Sequence, residues 1–171
     1  MTTPHLHVLA VDGTGAIWEP SEDAGVGWCW LTVPRPSIFG DEEGSVTEWD
    51  YGIWHGSQPA SAVNIARKAR EVQGLDYKTG PALVLDDTAV RICAMLELLR
   101  HQGKIADSVL YFQPRNDALE ITDDNLRYLH MYVAHPNICT AVKHGLALLR
   151  RAKREPAFAH EMWPYPSNGL P

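Results

Sequence analysis

The sequence predicts an α/β fold: a mixed five-stranded sheet, a three-stranded antiparallel meander plus two parallel strands, with helices on its faces. Three short apolar segments lie near the N-terminus with short connections between them, which favours a meander. After them, helical and strand patterns alternate, which favours further strands with helices laid against the sheet. At 171 residues, 45% of them hydrophobic, the chain is one domain that can bury a sizeable core.

The elements follow in order. His5 to Asp12 (HLHVLAVD) is a buried strand that ends in a carboxylate, and Gly13-Thr14-Gly15 breaks it. Val26 to Val33 is the second strand, bounded by Pro34 and Pro36, and Ser37 to Ser45 is an acidic loop. Val46 to Trp54 is the third strand. Ser57 or Ser61 caps a helix to about Gln73 whose apolar face includes Val63, Ala66 and Ala69, with Arg67, Lys68 and Arg70 opposite. Ala82 to Leu85 is the fourth strand, closed by Asp86-Asp87. Thr88 caps a second helix to about His101, apolar over most of its surface through residues such as Ile92, Leu96 and Leu98, and so expected to be well buried. Ser108 to Gln113 is the fifth strand, and Thr122 caps a short helix with Asp123 and Asp124 in its first turn.

The last helix runs from Asn137 to about Arg154. Ile138, Ala141, Val142, Leu146, Leu148, Leu149 and Ala152 give it one buried face. Arg150, Arg151, Lys153 and Arg154 suit the negative end of its dipole. That run is either a local basic patch or a solvated helix end. Asn137 and Thr140, three apart, share a face at the helix start. The folded domain is expected over 1–154. Residues 155–171, rich in Pro and aromatics, are expected as a tail that packs along the surface or contacts a partner.

The charge balance narrows the function classes. A formal net charge of −6 opposes a general nucleic-acid binder. Cys29, Cys93 and Cys139 are widely spaced in apolar contexts, without the compact Cys/His grouping of a zinc site, and read as buried reduced thiols. No signal pattern and no run of membrane-spanning length is present, so a soluble, cytosolic protein with no membrane partner is expected. A phosphate-cradling GxxxxGK[ST] loop and a GxSxG nucleophile motif are both absent.

Two carboxylates at strand ends, Asp12 and Asp86 or Asp87, are candidates for one site, because neighbouring strand ends converge at one edge of an α/β sheet. Hard oxygen ligands there suit Mg²⁺, and two such ions can activate water and stabilise a leaving oxygen in phosphodiester cleavage. The plainer reading is that Asp12 starts a turn and Asp86 or Asp87 caps a helix.

Several blocks in this order, VDGTG, LDYKTGPALVLDD, AMLELLRHQGKIADSVLYFQPR, TDDNLRYLHMYV and AVKHGLALLRRAK, together resemble the RuvC-like Holliday-junction resolvases of actinobacterial phages. The resemblance covers roughly Asp12 to Tyr165, best from Leu75 onward. It implies an RNase H-like fold and a Mg²⁺-dependent nuclease that cuts branched DNA, often as a dimer. The family's first-strand Asp corresponds to Asp12. Its fourth-strand Glu corresponds to Asp86, one methylene shorter, and the acid after it to Asp87. In its last helix the family carries His or Asp, then Asp three residues on, then often His. Those positions here are Asn137, Thr140 and His144, so only His144 is kept. The segment Trp18 to Asp23 is also atypical for the family.

Two readings follow. In the first, the protein is a catalytically degenerate relative, binding no metal or only a weak ion at Asp12 and Asp86. Its fold is then reused for binding or assembly with itself or other phage proteins, in the host cytoplasm or as a minor capsid or decoration component of the virion. In the second, it is an active Mg²⁺-dependent endonuclease on branched DNA, with Glu19, Glu22, Asp23 or Glu48 replacing the lost ligand. His144 is either an acid or base near a cleaved phosphate or a polar neighbour of the core. A third possibility is a small-molecule enzyme on the same fold.

Overall fold

A computed structural model of the chain describes residues 5–13, 25–40, 46–55, 67, 82–86, 94, 97–98, 101–102, 110–113 and 136–163. Of residues 13, 25, 55, 85–86, 110–113 and 136 it describes the backbone alone. Five strands form one sheet: β1 (His5–Gly13), β2 (Gly25–Pro34), β3 (Glu48–His55), β4 (Ala82–Asp86) and β5 (Leu110–Gln113). The order is β3-β2-β1-β4-β5. β1, β2 and β3 pair antiparallel, whereas β4 runs parallel to β1 and β5 parallel to β4. The expected mixed α/β sheet is therefore present, with a meander at one side and parallel strands at the other.

The apolar runs explain the central position of β1. Val8, Ala10, Leu9 and Val11 are all 0% exposed, so the strand is covered on both faces. A strand sealed on both sides favours a continuous apolar run over simple alternation. On one face Leu6, Val8 and Ala10 of β1 join Cys29, Leu31 and Val33 of β2 and Ala82 and Val84 of β4 in the core. Helix α2 (Pro136–Arg154) covers this face and contributes Ala141, Val142, Leu146 and Leu148.

Two glycines let α2 lie close to the sheet. A Cβ on Gly27 would stand 2.4 Å from the carbonyl carbon of Asn137, and one on Gly145 would stand 2.9 Å from Cδ1 of Leu31. Eight helical residues rise about 12 Å, and four strand residues about 13 Å. The two contacts therefore place α2 nearly parallel to β2, its start beside Gly27 and its end toward Pro34. The same geometry brings Lys153 Nζ to donate to the carbonyl of Gly40, just past the end of the short helix α1 (Pro36–Phe39).

Several sequence expectations need correction. Helix α1 lies where a loop was expected from Ser37. Pro36 starts this turn two residues after β2 ends at Pro34, since its fixed φ suits the first helical position. The segment from Glu155, expected as a tail, opens with helix α3 (Pro156–Met162). Phe158, Met162 and Trp163 are buried core members, and Trp163 Nε1 donates to the carbonyl of His7 at 3.3 Å. The core thus continues past Arg154 to Trp163. Leu98, expected in a well-buried helix, is 49% exposed. β3 begins at Glu48, later than Val46, whereas of the strand expected from Ser108 the residues before Leu110 lie outside the described residues. Of the helix expected to Gln73, Arg67 is helical and exposed and the rest lies outside the described residues, as do the helix expected at Thr122 and residues 164–171.

Candidate functional site

The candidate site forms where the end of β1 meets the start of α2. Asp12 continues the stripe Leu6, Val8, Ala10 along β1, which the period of two directs toward α2. It is 4% exposed, although nothing in its side chain favours an apolar surrounding. Its register partner in β2 is Gly27. Directly opposite residues share a face, so Asp12 faces the side on which Gly27 meets the helix. Gly27 lies against the backbone of Asn137 and Ile138. These contacts seat the first turn of α2 beside Asp12, with Asn137 only 3% exposed.

The other predicted residues divide. The β1–β4 register runs from Val8–Ala82 to Val11–Leu85. One step further sets the backbone of Asp86 level with Asp12, and Asp86 itself pairs with Gln113 of β5. Asp87 lies outside the described residues. Thr140, half-buried, is one turn along α2 from Asn137. His144 is buried, 5% exposed, but stands two turns along, roughly 10 Å from Asn137 on the helix axis. A Cβ on its neighbour Gly145 would meet Leu31 and Ala10, so His144 sits at the level of mid-sheet rather than at the strand ends.

Glu48, offered from the sequence as a replacement ligand, stands far from Asp12. It pairs with Thr32, whereas the residue of β3 level with Gly27 is Ile53. Five strand residues separate Glu48 from Ile53, roughly 17 Å. Glu48 is also exposed, at the far end of the sheet from Asp12. Glu19, Glu22 and Asp23 lie outside the described residues. Among the described residues no group of three or more His, Cys, Asp or Glu is placed to hold a metal ion.

Sequence reasoning missed Gly27, the residue that seats the helix. The signal was available: a glycine inside the apolar run VGWCWLTV marks a close backbone approach. Of the three cysteines expected to be buried, Cys29 is buried, Cys139 is only half-buried, and Cys93 lies outside the described residues. Cys29 is free and buried, and burial, aided by the nearby Asp50 carboxylate, pushes its pKa well above the usual 9.0. Burial also raises that of Cys139, which is free and half-buried, against the opposing pull of Lys143.

No protein-family model matches the chain. No curated protein matches it either. Among solved structures, the chain is similar to RuvC of Thermus thermophilus at 10% sequence identity and a TM-score of 0.49, over 88% of this chain and 97% of that one. No described helix is long and apolar enough to cross a membrane.

Proposed function

We propose that the chain is a catalytically degenerate RuvC-like protein of the RNase H-like class, of phage origin, whose fold serves binding or assembly rather than DNA cleavage. The observation that carries this reading is the seating of Asn137. The helix start that faces Asp12 brings a neutral amide, with Thr140 one turn on, where a nuclease of this class would bring a carboxylate. Two Mg²⁺ ions held close together need several anionic oxygens to offset their charge. Asp12, Asn137 and Thr140 together supply one carboxylate and so one negative charge. Burial sharpens the deficit, because an ion taken out of water at a 3–4% exposed site must be compensated by its ligands. The donor set therefore fits a pair of Mg²⁺ ions poorly, and no metal-assisted step is assigned to it.

The partners that suit this reading are further copies of the chain or other phage proteins, in the host cytoplasm or the virion, where a minor capsid or decoration role would not need a cleaving site. The second reading, an active Mg²⁺-dependent endonuclease on branched DNA, is favoured by the position of Asp86 level with Asp12, which places a second acid on the neighbouring strand. A labelled four-way DNA junction, incubated with Mg²⁺ and then Mn²⁺ beside an Asp12→Asn control, separates the two. Degeneracy predicts no cleavage above the control. Removing a carboxylate that truly held metal should lower the rate on the order of 10³-fold. Metal-dependent cutting that Asp12→Asn abolishes would replace the first reading with the second.

A further inference from the structure

The face of the sheet turned away from α2 carries stacked aromatic rings that give way to two carboxylates. Thr32, Trp30 and Trp28 of β2 pair with Glu48, Asp50 and Gly52 of β3. Directly opposite residues share a face, and Trp54, two residues past Gly52, shares it too. Burial declines across this face. Leu9 and Val11, the β1 partners of Trp30 and Trp28, are 0% exposed. Trp28 and Trp54 are half-buried, and Glu48 and Asp50 are exposed. Trp28 lies over Gly52, where a Cβ would stand 2.7 Å from Cζ2 of the ring. Trp54 stacks on Trp28 at 5.3 Å with planes 17° apart. Trp30 leans the other way, stacked on His7 at 5.3 Å and donating its ring N–H to Thr32 Oγ1 at 3.1 Å. Along β3 the paired indoles are thus followed by Asp50 and then Glu48, in steps of about 7 Å.

We propose that this strip of β3 binds an extended segment of another protein with arginines at alternate positions. Charge and spacing select that occupant. Residues two apart in an extended chain repeat at about 7 Å, which matches the step from Glu48 to Asp50 and from Asp50 to the ring over Gly52. A planar guanidinium pairs with a carboxylate through two hydrogen bonds and also stacks on indole, so one residue type suits all three positions. Glu48 and Asp50 each take one arginine, and the Trp28–Trp54 pair takes a third. The net charge of −6 attracts a basic segment over longer range. Asp12 faces α2, on the other side of the sheet, so the strip works whatever the state of that site. It gives the binding role proposed above a class of partner, and it stands or falls separately from that role.

Calorimetric titration of the full chain with a short peptide of alternating arginine and serine tests the site, beside a glutamate–serine peptide of equal length. Circular dichroism verifies that the variants fold. The arginine peptide is expected to bind with a dissociation constant of about 100 µM or tighter, and the glutamate peptide not at all. Glu48→Gln combined with Asp50→Asn should weaken binding about fivefold or more, and Trp54→Leu should do the same. The carboxylate pair gives the answer if Trp54→Leu does not fold. Glu161→Gln, which removes an exposed carboxylate of α3, should leave the affinity within about twofold. No binding at about 1 mM peptide, or an affinity that the β3 variants leave unchanged or that Glu161→Gln weakens equally, would overturn the proposal. So would sedimentation showing self-association that Glu48→Gln with Asp50→Asn abolishes, because the chain's own arginines would then be the occupant.

Discussion

A methyl group at position 27 would lie 2.4 Å from the carbonyl carbon of Asn137 and 2.5 Å from the nitrogen of Ile138. Both obstacles are backbone, so the helix start must move. Gly27→Ala should cost about 2–3 kcal/mol in urea unfolding. Gly145→Ala is a contrast. Its methyl would meet the mobile end of Leu31 at 2.9 Å, and alanine gains helix propensity of about 0.5–1 kcal/mol. Stability within about 0.5 kcal/mol of wild type is expected there, because the gain offsets modest crowding. Asn137→Asp puts a second carboxylate at the helix start that faces Asp12. Without metal, two buried acids repel and one is pushed toward its protonated form, so thermal stability should fall. Added Mn²⁺ should then raise the Tm of this variant by several degrees and leave wild type nearly unmoved, because only the variant gains a ligand set that binds the folded state. The Cys29 thiol makes a pH prediction. Its pKa is raised in the folded state, so its contribution is fully present below the unfolded value near 9.0 and is lost as pH rises past it. The unfolding free energy from urea titrations should fall above pH 9 by up to about 1.4 kcal/mol per pH unit, and less in Cys29→Ala.

At the level of elements, α2 and α3 show where sequence patterns suffice and where they do not. The period of Ile138, Ala141, Val142, Leu146 and Leu149 fixes a buried helix face wherever the helix docks, so α2 was legible to within a residue. β1 and β2 were legible for the same reason: their apolar runs are bounded by glycines and prolines that end strands. α3 was hidden by composition. Pro156, Phe158 and Trp163 suggested a surface tail, yet Pro156 at the first position and Phe158, Ala159 and Met162 on one face form a short helix that closes the core. Trp163→Ala should therefore cost about 3–5 kcal/mol, as befits a 1% exposed ring, and calorimetry or urea unfolding would measure it. An unchanged midpoint would return this segment to the role of a loose tail. The pairing of Asp12 with the start of α2 was only half legible. Strand ends converge by topology, but the contact of Gly27 with Asn137 depends on how the helix lies across the meander, which no local pattern encodes.

On the scale of the whole molecule, the proposed function turns on the Asp12 end of the sheet. At the Asp12 end, the fold delivers a helix start to a strand-end acid, and that helix brings an amide and a hydroxyl. A net charge of −6 opposes long-range attraction of DNA. The most direct test of a degenerate site is the number of Mn²⁺ ions bound per chain, counted by electron paramagnetic resonance during titration of wild type and Asp12→Asn. The site described here predicts at most one ion in wild type, held no more tightly than about 1 mM, and none in the variant. Two ions bound with dissociation constants of about 0.1 mM or tighter, both lost in Asp12→Asn, would contradict it and make the chain a competent two-metal protein.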